Sequence, residues 1–78
     1  MNIDKELDVR GLSCPLPILR TRQALKAIEA GKVLKITSTD PGSLRDFEAF
    51  ATQTGNELVE TRQSNGEYVF VLRKQGAS

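Results

Sequence analysis

Polar and apolar residues alternate through Lys5-Glu6-Leu7-Asp8-Val9, which puts Leu7 and Val9 on one face of a short, half-buried strand. Gly11 breaks the pattern. From Ile18 the period changes to three and four. Ile18, Thr21, Ala24, Leu25 and Ile28 make one apolar helical stripe, with Arg22, Lys26 and Glu29 on the polar face. The helix is expected to open at Cys14-Pro15, because proline at the first helical position gives up only an N–H that would have been unpaired there. Pro17, still in the first turn, is tolerated. Gly31 is the expected C-cap. Alternation returns in Val33-Leu34-Lys35-Ile36-Thr37, with Leu34 and Ile36 opposite Lys35 and Thr37. One polar face predicts a sheet covered on one side only.

A second helix follows the loop Thr39-Asp40-Pro41-Gly42-Ser43. Either Asp40, or Ser43 with Asp46 three residues on, is placed to cap it. Leu44, Phe47, Phe50, Ala51 and Thr54 form its buried face, and Gly55 ends it. Two strands close the chain, roughly Glu57 to Gln63 and Glu67 to Lys74. Asn65-Gly66 between them is a strong hairpin signal. Tyr68, Phe70 and Leu72 alternate with Val69 and Val71 and are the expected inner face. Gln75 to Ser78 reads as a frayed tail. The order β-α-β-α-β-β predicts an α+β fold: a two-layer α/β sandwich in which two helices cover one face of a mixed four-stranded sheet. Its first βαβ unit is expected to be right-handed. With 78 residues and no linker-like stretch, residues 1–78 are expected to form a single domain.

Charge and composition narrow the function. Charged residues make up 27% of the chain and nearly cancel, at +1, which argues against direct nucleic-acid binding by a strongly basic surface. No apolar run approaches the ~18–20 residues of a membrane span. The polar start Met1-Asn2-Ile3-Asp4-Lys5-Glu6 does not resemble a signal peptide. The chain has no His, which removes His-based acid–base pairs and His-containing metal sites. No cofactor is expected. A lone Cys cannot form an internal disulfide, and the expected compartment is the reducing cytoplasm.

That single Cys14 is the candidate for chemistry. A free Cys often serves as a small buried hydrophobe. Three local features point elsewhere. Cys14 falls at the start of the first helix, where the dipole and unpaired N–H groups favour an anion. Pro15 and Pro17 leave the N–H groups of Leu16 and Ile18, and a sulfur at the N-cap could accept from Leu16. Arg10, Arg20, Arg22 and Lys26 surround it in sequence, with no acidic residue between Asp8 and Glu29. The thiol is therefore expected to ionise more readily than a free one. Gly11 permits a backbone turn that would position it. Leu16 and Leu19 point away from the stripe; they either pack on the flanking loop or form an apolar docking patch beside Cys14. The basic residues are either a solvated helix face or part of that docking surface. With no base and no second Cys, such a thiolate can still attack a sulfur atom on another molecule and pass it on.

The run Leu7-Asp8-Val9-Arg10-Gly11-Leu12-Ser13-Cys14-Pro15-Leu16-Pro17 resembles the TusA/SirA-like sulfurtransferases, whose mark is Cys-Pro-x-Pro at the first helix. The similarity continues through Asp40-Pro41, Arg45-Asp46, Tyr68 and Arg73-Lys74. It implies the same sandwich. It implies that Cys14 takes a sulfane sulfur as a persulfide from a cysteine desulfurase or rhodanese-type donor. It also implies delivery to a downstream acceptor protein, toward tRNA thiolation, cofactor synthesis or sulfur oxidation. Some members carry another Cys in the second helix, where this chain has Ala51, which supports a single-thiol carrier. The competing reading is a binding or regulatory module that contacts RNA or protein without sulfur transfer.

Overall fold

In the computed structural model, which describes residues 2–76, the elements are β1 (Lys5–Val9), α1 (Leu16–Lys26), β2 (Val33–Ser38), α2 (Ser43–Thr54), β3 (Glu57–Ser64) and β4 (Glu67–Arg73). The sheet order is β1-β2-β4-β3, with β1 parallel to β2 and the other two pairings antiparallel. This is the expected mixed sheet. The hairpin turns through Asn65 (φ 51°) and Gly66 (φ 78°), both left-handed, as a two-residue turn between right-twisted strands requires.

The period-two faces sort as their polarity demands. Leu34 and Ile36 pair with Leu72 and Phe70 across β2 and β4, and all four are fully buried. Phe47 of α2 stacks on Phe70, with ring centroids 4.3 Å apart, and locks that helix to the sheet. Thr21, Ala24 and Leu25 bury the stripe of α1, while Ile18 and Ile28 are half-buried at its two ends. The buried Thr21 hydroxyl donates to the Pro17 carbonyl at 2.8 Å, so it leaves no unmet polar group in the core.

Four boundaries differ from the sequence reading. The first helix opens at Leu16, with Pro15 as the N-cap residue, because the Leu16 N–H is already taken by the Ser13 carbonyl at 2.9 Å. It ends at Lys26, ahead of Gly31: the N–H groups of Ala27 and Ile28 reach back three residues, to Ala24 and Leu25, and tighten the last turn. Gly31 (φ 86°) instead turns the connecting loop, and its N–H donates to the Lys74 carbonyl. Neither Asp40 nor Ser43 caps α2 with its side chain; Gly42 is the N-cap. Gln75 is not frayed, since its N–H donates to Asn56 Oδ1 at 2.7 Å. Residues 77–78 lie outside the described residues.

Candidate functional site

Because β1 and β2 run parallel, the loops that follow them leave the same end of the sheet. Cys14 is in the first loop and Asp40 in the second. The two loops are bonded together. The Gly11 N–H donates to Thr39 Oγ1 at 2.8 Å, and the Cys14 N–H donates to Asp40 Oδ2 at 3.0 Å. Gly11 itself is left-handed (φ 82°), so it supplies the turn expected of it. Asp40 is held in its turn: its N–H donates to Ser38 Oγ, and its Oδ1 accepts from the Gly42 N–H. Below it the buried hydroxyls of Ser38 and Ser43 share a 2.6 Å hydrogen bond. Pro17 is buried and seats the first turn of α1. Cys14 is a free, exposed thiol, and its peptide bond to Pro15 is cis.

The electrostatics reverse the expectation from the local charges. The Cys14 thiol is pushed up from its ordinary value. The first cause is the Asp46 carboxylate, which accepts from the S–H; partial desolvation follows, then the charges of Asp46 and Asp40. The helix-start argument fails for a geometric reason: the Leu16 N–H serves Ser13, and Cys14 lies one residue outside the N-cap. The counted surplus of basic residues fails too. Arg10 is occupied by Asp8 (Nε–Oδ1 and a second contact, both 3.0 Å) and by Glu67 at 3.4 Å. That contact holds the Asp8 carboxyl below its usual range and leaves Arg10 little charge to offer the sulfur.

The other candidates divide. Leu16 and Leu19 are 41% and 49% exposed, which decides against packing on the flanking loop. Arg20 and Lys26 are exposed. Arg22 lies over the Phe50 ring, its guanidinium carbon 5.4 Å from the centroid. Two depressions flank Cys14. An open one of ≈ 620 Å³, toward the start of α2, is bordered by Asp40, Asp46, Glu48 and Arg45. A smaller one, of ≈ 180 Å³, lies between α1 and α2 over Phe50. Asp40 and Asp46, read from the sequence only as helix-capping residues, are thus the groups nearest the sulfur in effect. The signal available for them was their place among the matching positions of the family resemblance. Among the described residues no group of three His, Cys, Asp or Glu side chains is arranged to hold a metal, and no helix is long and apolar enough to cross a membrane.

A two-layer sandwich that displays one thiol between the starts of its two helices defines the class, and comparison with known proteins places the chain within it. The family model described as "Sulfurtransferase TusA" matches residues 5–74, and the chain belongs to that family. It is 52% identical over 73 residues to the sulfur carrier protein TusA of Allochromatium vinosum, covering 94% of this chain and 96% of that one. The sulfur carrier protein TusA of Pseudomonas syringae is 36% identical over 75 residues, covering 96% and 89%. The crystal structure of a SirA-like protein from Desulfitobacterium hafniense superposes with a TM-score of 0.79 at 25% identity, covering 91% of this chain and 97% of that one.

Proposed function

We propose that this chain is a cytoplasmic sulfur carrier: Cys14 accepts a sulfane sulfur as a persulfide and surrenders it to the thiol of a partner protein. The observation that carries the reading is the exposed, unpaired Cys14 at the head of the Cys-Pro-x-Pro turn in a member of this family. The donor is a cysteine desulfurase or a rhodanese-type protein. The acceptor belongs to tRNA thiolation, cofactor synthesis or another sulfur-trafficking route. In these roles the chain acts as a sulfurtransferase.

The raised thiol fits a carrier that must not react at random. A protonated Cys14 is a poor target for oxidation and a poor nucleophile until a donor presents its sulfur. Transfer then balances without an added base. The Cys14 sulfur attacks the outer sulfur of the donor persulfide. A new S–S bond forms as the donor's S–S bond breaks, and the departing donor sulfur takes the proton Cys14 releases. Leu16 and Leu19, with Arg20, Arg22 and Lys26 beside them, form the docking surface: an apolar centre with a cationic border suits an acid-rimmed partner.

The test is to incubate the full chain with a cysteine desulfurase and cysteine and to weigh the product. One added sulfur on Cys14, removed by a reductant and absent from Cys14→Ser, is the expected result. No adduct with either donor class overturns the proposal.

A further inference from the structure

The smaller depression has features that accepting sulfur onto Cys14 does not by itself require. Its floor is the buried ring of Phe50, and Pro15 and Ile18 form an apolar wall. The Arg22 guanidinium is held over that floor by the ring. Among the described residues Arg22, like Arg20 and Arg45, has no carboxylate partner, whereas Arg62 and Arg73 each have one and Arg10 has two. Gln53 adds a second polar group to the rim.

We infer that this hollow between α1 and α2 holds the outer sulfur of a Cys14 persulfide, with the Arg22 guanidinium as its counter-charge. The inference rests on the carrier reading and assigns a place to the cargo. The outer sulfur of a persulfide stands ~2.05 Å beyond Sγ and carries the negative charge when ionised. On the opposite side of Cys14 that charge meets Asp40, Asp46 and Glu48, with Arg45 as the one cation. On the Phe50 side it meets a polarisable ring, which suits sulfur, and a guanidinium that no salt bridge among the described residues holds. Asp46 borders both depressions, so its charge drives the outer sulfur toward the α1 wall, where Arg22 is. The outer sulfur reaches further into the hollow than Sγ does, so Arg22 acts on it more strongly than on the thiol, which makes the two forms of the protein separable by experiment.

The full chain is loaded without any partner protein, using inorganic tetrasulfide. The Cys14 thiolate attacks a terminal sulfur, that sulfur's bond to the rest of the chain breaks, trisulfide leaves, and mass spectrometry confirms one added sulfur. Alkylation rates of the thiol and persulfide forms are then measured against pH for the unaltered chain, Arg22→Gln and Arg22→Lys. The expected result is that Arg22→Gln slows persulfide alkylation about fivefold on the acid side of its profile, as removal of a nearby unit charge does. Arg22→Lys restores most of it, and the thiol profile moves less than the persulfide profile in both variants. A persulfide profile unmoved by Arg22→Gln, or thiol and persulfide profiles that move equally, overturns the assignment while leaving the carrier reading intact. A Cys14 that takes no sulfur from tetrasulfide or from a desulfurase overturns both.

Discussion

The backbone N–H of Cys14 donates to Asp40 Oδ2 at 3.0 Å, joining two loops whose residues are 26 positions apart in sequence. Asp40 spends its other carboxylate oxygen on the Gly42 N–H at the start of α2. One half-buried side chain therefore fixes both the backbone under the thiol and the entry to the second helix. Asp40→Ala leaves two N–H groups without acceptors and is expected to cost about 2 kcal/mol, at the charged end of the range for a lost hydrogen bond. Asp40→Asn keeps an amide oxygen and costs less. Urea denaturation of the two variants checks this; an unchanged midpoint for Asp40→Ala refutes the bracing role.

Asp46 governs the proton on the thiol. A raised thiol carries less thiolate at neutral pH than a free one, so removing the cause must add thiolate. Asp46→Asn is expected to move the alkylation midpoint of Cys14 down toward the ordinary thiol range and to speed alkylation at neutral pH. Asp40→Asn, which removes the last and smallest of the causes, moves it less. Linkage gives the same sign in stability. The folded chain holds this proton more tightly than the unfolded chain, so the contribution is present below the unfolded thiol's pKa and is lost as pH rises through the folded one. Asp46→Asn shrinks that alkaline loss. An alkylation profile that does not shift, or shifts upward, rejects the assignment.

The fold was legible because its elements carry their own periods. Leu34, Ile36, Phe70 and Leu72 announce a two-residue repeat, Thr21, Ala24 and Leu25 a helical one, and Asn65-Gly66 a turn that few other pairs can make. The exposure of Cys14 agrees with its choice as the candidate for chemistry, made because it is the one cysteine in the chain. Its electrostatics were not legible. Counting charges along the sequence around Cys14 gives basic residues only, yet the groups that act on the sulfur arrive from the loop after β2 and the first turn of α2. Arg10 is drawn off mainly by its neighbour Asp8, through two contacts at 3.0 Å, and Glu67, 57 residues away, adds a third at 3.4 Å. The helix start moved for a smaller reason: a single carbonyl, that of Ser13, took the N–H that the sulfur would have needed.

The hairpin offers a test of backbone conformation alone. Gly66 has φ 78°, and a Cβ built there meets nothing within 4 Å. Gly66→Ala therefore adds no clash, only the cost of holding an L-residue in the left-handed region, about 1 kcal/mol. Thermal or urea unfolding should show that loss, with the Cys14 alkylation profile untouched because the groups that act on the thiol are Asp46 and Asp40 and not the hairpin. A loss well beyond this would mean that the β3–β4 register depends on the turn.

Leu16 and Leu19 test whether the exposed face of α1 is built for a partner. Both are in or beside the first turn that Cys14 introduces, and both stay largely exposed while Pro17 between them is buried. Surface apolar side chains with little contact contribute little to folding, so replacing both with Ser is expected to change stability by no more than about 0.5 kcal/mol. In docking they would be covered, and each buried leucine is worth roughly 1.5–3 kcal/mol. The double variant should therefore bind a sulfur donor at least tenfold more weakly, a loss of about 1.4 kcal/mol or more. Sulfur uptake from inorganic tetrasulfide, which needs no docking, should be unchanged. Weaker donor binding with unchanged stability and unchanged tetrasulfide uptake is the pattern that a docking patch alone produces. Equal donor binding would place the interface elsewhere on the molecule, and a large loss of stability would return both residues to packing on the flanking loop.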